Sequence, residues 1–155
     1  MNEPFVNKKN EIVEPVPLVR FFVALGVGLV CRGNSVAPRM RLIIAGSRTV
    51  FISEDALNAY IQEHFGDRVT EVVSGCAVGM DTLGIQWAAT HSVPVKRFIP
   101  DWSIGRHAGH VRNRQMGDYA DEALVIYNGS KGSQGMIDYM TKLGKRCIVV
   151  NTNEL

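Results

Sequence analysis

Between Met40 and the carboxyl terminus, a short, nearly continuous apolar run is followed four times by a segment with helical spacing, and a fifth run closes the series. "RLIIAG" leads into "SEDALNAYIQEHFG", where Ser53 is placed as N-cap, acids fill the first turn, Leu57, Tyr60, Ile61 and Phe65 share a face, and Gly66 ends the pattern. "RVTEVVSG" leads into "VGMDTLGIQWAATHS", and "VPVKRFI" into "RHAGHVRNRQMGDYA", with Val111 and Met116 expected to face inward. "EALVIY" leads into "GMIDYMTKLG", and "KRCIVV" is the last run. Strands that are apolar throughout are buried on both faces, which requires helices on both sides of a parallel sheet.

The fold predicted by this alternation is an α/β, Rossmann-like three-layer sandwich with a five-stranded parallel sheet. In such open sheets a ligand sits beyond the carboxyl ends of the strands, near the point where strand order reverses. The loops at that edge are therefore the places to look for chemistry.

With 155 residues and 46% hydrophobic content, the chain has material for one core. Residues 40–155 are expected to form the domain, and residues 1–39 an N-terminal extension. The extension contains "VPLVRFFVALGVGLVC", whose apolar stretch is preceded by Lys8, Lys9 and Arg20 and followed by "NSVA". This has the pattern of a weak signal or anchor, although a membrane span needs about 20 apolar residues. An accessory hairpin or helix is a second reading. Translated upstream sequence ahead of a start at Met40 is the favoured one, because "MRLIIAGSR" begins a strand with no lead-in.

The formal net charge is +2, and its excess lies before Met40; from Met40 onward 12 basic residues face 12 acidic ones. A neutral domain argues against a nucleic-acid binder that depends on phosphate contacts. Cys31, Cys76 and Cys147 are odd in number and lack C-x-x-C spacing, which favours a reducing cytoplasm over a disulfide framework or zinc knuckle. No membrane association, metal or cofactor is expected.

Four loops stand at the strand ends. In "AGSR", Gly46 permits close backbone approach, Ser47 offers a hydroxyl, and Arg48 can fork onto a phosphate or carboxylate or simply point to solvent. "SGCAVGMD" brings Ser74, Gly75 and Gly79 ahead of a helix start that could receive an anion. Its Asp81 is either an N-cap or a partner for a ribose hydroxyl. The loop is neither a dinucleotide fingerprint nor a P-loop. In "PDWSIGRHAGHVRNRQM", Trp102 can stack on a base or cover a core edge, Arg112 and Asn113 can reach an anion, and His107 and His110 lack a third metal ligand. The fourth loop, "YNGSKGSQG", frees its backbone at Gly129, Gly132 and Gly135 and adds the hydroxyls of Ser130 and Ser133 beside a helix N-terminus, with Lys131 at its rim.

The ordered set "GSR", "SGCAVGMD", "DW", "AGHVRNRQM" and "YADEALVIYNGSKGSQGMI" resembles the SLOG superfamily, and within it the YspA-type branch related to YpsA, found in phage and bacterial genomes. The resemblance covers nearly all of residues 40–150. It implies a Rossmann-like domain that binds a nucleotide or nucleotide-derived ligand, with Gly46, Ser47, Arg48, Gly75, Gly79, Asp81, Arg112, Asn113, Gly129, Ser130, Gly132 and Ser133 at matching positions. It is also compatible with a homodimer.

More distantly, the chain is similar to the lonely-guy phosphoribohydrolases, which cleave the N-glycosidic bond of a nucleoside monophosphate with an arginine and a glutamate around "PGGxGTxxE". Arg112 matches that arginine, "GSKGS" matches the glycine turn with Ser133 in place of threonine, and the glutamate position falls on Met136. Glycosidic cleavage builds positive charge on the sugar and needs an activated water, the work of a carboxylate. Methionine does neither. The leading expectation is therefore a module that senses or sequesters a nucleotide. The second is a nucleotide N-glycosidase or a deoxyribosyltransferase-like enzyme that uses Asp81 or Asp138 with Arg112, and the third is binding of single-stranded DNA.

Overall fold

The computed structural model describes residues 38–152. The expected N-terminal extension, apart from residues 38 and 39, lies outside the described residues, as does Cys31. The elements run β1 (Met40–Gly46), α1 (Glu54–His64), β2 (Val69–Ser74), α2 (Met80–Thr90), β3 (Val95–Arg97), α3 (Ala108–Tyr119), β4 (Glu122–Tyr127), α4 (Lys131–Lys142) and β5 (Cys147–Asn151). Short 3-10 helices occupy Gly66–Arg68 and Trp102–His107. All strand pairings are parallel and the strand order is β3-β2-β1-β4-β5. This is the Rossmann-like sheet that the alternation predicts.

The two-residue period of a strand divides the sheet side chains between two cores. Leu42, Ile44, Val72, Leu124 and Ile126 face α1 and α2, where Leu57, Ile61, Phe65, Met80 and Trp87 complete one cluster. Ile43, Ala45, Val73, Ala123 and Val125 face α3 and α4, where Met116, Met136, Ile137 and Met140 complete the other. Burial on both faces explains the unbroken apolar runs of β1 and β4, in which Leu42, Ile43, Ile44, Leu124, Val125 and Ile126 are all fully buried.

Local signals place the ends of α1. The Ser53 hydroxyl accepts the Ala56 N–H at 3.1 Å, and Gly66, at φ +58°, turns the chain out. Three expectations are corrected. Val111 is 40% exposed, because it sits on the face of α3 opposite Met116. The third strand is only Val95–Arg97, an edge strand with Lys96 and Arg97 exposed, as edges that avoid further pairing tend to be. The loop expected over Tyr127–Gly135 is short, because α4 already begins at Lys131 and absorbs Gly132, Ser133 and Gly135. Burial of Ser133, Met136, Ile137 and Met140 along one face outweighs the low helix propensity of the two glycines.

Candidate functional site

Strand order reverses between β1 and β4. The chain leaves β1 toward α1 on one face and leaves β4 toward α4 on the other, so the two exits part and open a crevice. A cleft of about 300 Å³ lies there, at the small end of the range usual for ligand sites. Ala45, Gly46, Arg48 and Thr49 line it from β1 and its exit, Ala77 from the loop after β2, Asp81 from the first turn of α2, and Arg112, Asn113 and Met116 from α3. Ser130, Gly132, Ser133 and Met136 close it from α4.

The wall on the β1–β4 side is a chain of hydroxyls. The Asn128 N–H donates to Ser47 Oγ at 3.3 Å, Ser47 Oγ donates to Ser130 Oγ at 2.8 Å, and Ser130 Oγ donates to Ser133 Oγ at 2.8 Å. An amide at the far end polarises the series toward the cleft, where Ser133 ends it. Gly129, at φ +95°, makes the turn that brings Ser130 to the N-cap of α4. Because the Ser130 hydroxyl is engaged in this series, it makes no capping bond to the helix. The first-turn amides of α4 are thus left for another acceptor, and the helix dipole favours an anionic one. Thr49 is tied in by Asn128 Nδ2 at 2.8 Å.

The opposite wall is built on Arg112 and Asn113. Arg112 Nη1 donates to the Gly75 carbonyl, and Arg112 Nε donates to Asn113 Oδ1 at 3.1 Å. Asn113 Nδ2 donates in turn to the Gly132 carbonyl at 3.2 Å. One arginine and one asparagine therefore lock the β2 exit, α3 and α4 together, while Arg112 still lines the cleft.

Asp81 is 5% exposed and accepts the Ala77 N–H at 3.2 Å. Burial pushes its carboxyl above the usual range, and the Ala77 N–H, Arg112, the Gly75 N–H and Arg48 offset this only in part. The N-cap reading of Asp81 is corrected: Gly79 is the N-cap of α2, and Asp81 in the first turn reaches back to the loop. Among the described residues that line the cleft, Asp81 is the only carboxylate. Asp138 is not there. It lies about 200° around α4 from Met136, and its Oδ1 accepts Gln134 Nε2 at 2.7 Å. Met136, 2% exposed, occupies the cleft wall at the position where the lonely-guy pattern has its glutamate.

Of the other candidates, Gly46, Arg48, Arg112, Asn113, Ser130, Gly132 and Ser133 meet in the cleft. Ser47, Ser74, Gly75, Gly79 and Gly129 support it from behind. Ser74 is fully buried and its Oγ accepts the Cys76 N–H, and Gly79, at φ +95°, packs against the backbone of Arg48. Trp102 does not cover a core edge. It is 61% exposed on the 3-10 helix and does not line the cleft. Thr49, Ala77 and Met116 were not singled out as site residues; Met116 carries the helical signal of an inward residue, whereas Thr49 and Ala77 carry none. Among the described residues, no three His, Cys, Asp or Glu side chains gather as a metal site, and no helix is long and apolar enough to cross a membrane.

The fold and the cleft define a Rossmann-like domain with a crevice at its switch point. Residues 40–105 match the model of the family described as YspA, cpYpsA-related SLOG family, and in that segment the chain is similar to it. The matched segment carries the β1 and β2 exits; Arg112 and the N-terminus of α4 lie beyond it. No curated protein matches the chain, and no solved structure matches it.

Proposed function

We propose that this domain binds a nucleotide or nucleotide-derived small molecule, as a sensor or sequestering module, with a phosphate seated at the N-terminus of α4. The observation that carries the reading is the hydroxyl series from Ser47 to Ser133, which ends beside uncapped helix amides and opposite Arg112. The match of residues 40–105 to a SLOG family model supports a nucleotide-related ligand. The test is the melting temperature of the full chain against nucleosides, nucleotides, cyclic dinucleotides and ADP-ribose. A ligand at about 100 times its Kd adds about 2.7 kcal/mol, roughly 10 °C for a domain of this size. Arg112→Ala should weaken the responding ligand by about 10- to 150-fold, the weight of a charge-assisted contact, and the variant should still melt cooperatively. A flat panel, or unchanged affinity in the variant, would refute this placement.

A second reading, nucleotide N-glycosidase, is favoured by Asp81. A buried carboxyl with a raised pKa, aimed into a cleft, is suited to proton transfer. Free base released from a nucleoside monophosphate by the wild type, and absent with Asp81→Asn, would establish it.

A further inference from the structure

A second cleft, of about 410 Å³, opens between α3 and α4 and shares Asn113 with the first. Arg114 and Lys142 line it, together with the ring of His110. Neither cation makes a hydrogen bond or ion pair among the described residues. The carboxylate on this lining, Asp138, is held by Gln134.

Gly132 lines the first cleft and Gly135 the second, and three residues apart they form one bare ridge on α4. Each costs about 1 kcal/mol of helix propensity relative to alanine. Packing among the described residues does not call for either. Among the described residues, a Cβ on Gly132 would meet nothing within 4 Å, and one on Gly135 would come no closer than 3.7 Å, to His110 Nδ1. Both backbones have helical φ, so alanine fits at both positions. What the missing side chains leave is a low crossing from one cleft to the other.

Resting on the nucleotide reading above, we infer that the ligand crosses this ridge and carries a second anionic group, held between α3 and α4 by Arg114 and Lys142. Neighbouring ridge positions are only about 5–6 Å apart. The two clefts adjoin at this step, and Gly135 lines the same cleft as the long side chains of Arg114 and Lys142, so a phosphate just past the ridge suits two phosphates on one nucleoside better than the far ends of an extended dinucleotide.

The experiment is calorimetric titration of the full chain with nucleoside 5′-monophosphates and the matching 3′,5′-bisphosphates, in the adenine, guanine, cytosine and uracil series. For the base that binds, the bisphosphate should be at least about tenfold tighter, as one added charge-assisted contact would give. The double variant Arg114→Ala with Lys142→Ala should abolish that gain and leave the monophosphate unchanged. Gly135→Ala should raise the melting temperature yet weaken the bisphosphate, an opposition that a purely structural glycine would not produce. Equal affinities in the wild type, equal weakening of both ligands in the double variant, or full bisphosphate binding by Gly135→Ala would each overturn the inference while leaving the nucleotide reading standing. A Gly135→Ala chain that loses self-association with ligand affinity unchanged would assign the ridge to a second copy and also overturn it. If neither phosphate class binds the wild type, the nucleotide reading fails and takes this inference with it.

Discussion

Gly75 has its importance in what it leaves empty. An ideal Cβ there would overlap the guanidinium of Arg112, which is the mobile end of a long side chain and can move away. Gly75→Ala should therefore fold with a melting temperature close to wild type but lose ligand affinity, because Arg112 is pushed from the carbonyl that positions it. Equal losses of stability and affinity would show that the loop, not the arginine, was disturbed. Asp81 makes the complementary case. Its folded pKa is raised, so below the unfolded value near 3.8 the carboxyl is neutral in both states, and above its folded pKa the native state bears the cost of ionisation. Asp81→Asn keeps an oxygen for the Ala77 N–H and removes that cost. The variant should be more stable than wild type at pH 7, and the difference should vanish as the pH falls toward 3.8; urea unfolding at several pH values measures it.

Arg41, at the start of β1, is tied to the turn ahead of β4. Asp121 accepts the Arg41 backbone N–H at 2.8 Å, Nε at 3.1 Å and Nη2 at 2.8 Å, and this pairing holds its carboxyl below the usual range. The stability it brings is complete above the unfolded pKa and is lost as the pH falls through the lower folded value. Because the partners are 40% and 38% exposed, solvent screens the pair. Asp121→Asn should cost about 0.2–1 kcal/mol at pH 7 and progressively less under acid, as read from denaturant midpoints. Elements with strong local signals were legible in the sequence: β4 spans the six residues of "EALVIY", and α1 starts at its Ser53 cap. The start of α4 was not, because glycine and serine density is also what a loop looks like, and only the spacing of Ser133, Met136, Ile137 and Met140 betrays the buried face. In the site, Ser130, Ser133, Arg112 and Arg48 could be found because loops at strand ends are few. The hydroxyl series could not, since it joins residues 83 positions apart and depends on the register of β1 against β4.

At the scale of the molecule, the site is a seam. Around the cleft, the β1 exit, the β2 exit, α3 and α4 are joined by the hydrogen bonds of Arg112, Asn113 and the serine series. A bound ligand should thus slow amide exchange in 47–49, 75–77 and 130–133 together, as measured by hydrogen–deuterium exchange of the full chain. Protection confined to one segment would contradict a shared cleft.

The placement of β1 at the centre of the sheet also governs how the chain can be made. Its one neighbour, β2, emerges from the ribosome soon after it, but the other, β4, follows only after α3. Until then an apolar strand waits with an open hydrogen-bonding edge, the arrangement most exposed to mispairing with another nascent chain. The hydroxyls of Ser47 and Ser130 meet only once β4 and the turn after it have been synthesised. A ligand seated in that cleft would therefore hold the finished domain together, but it would not serve as a template for the half that is built first.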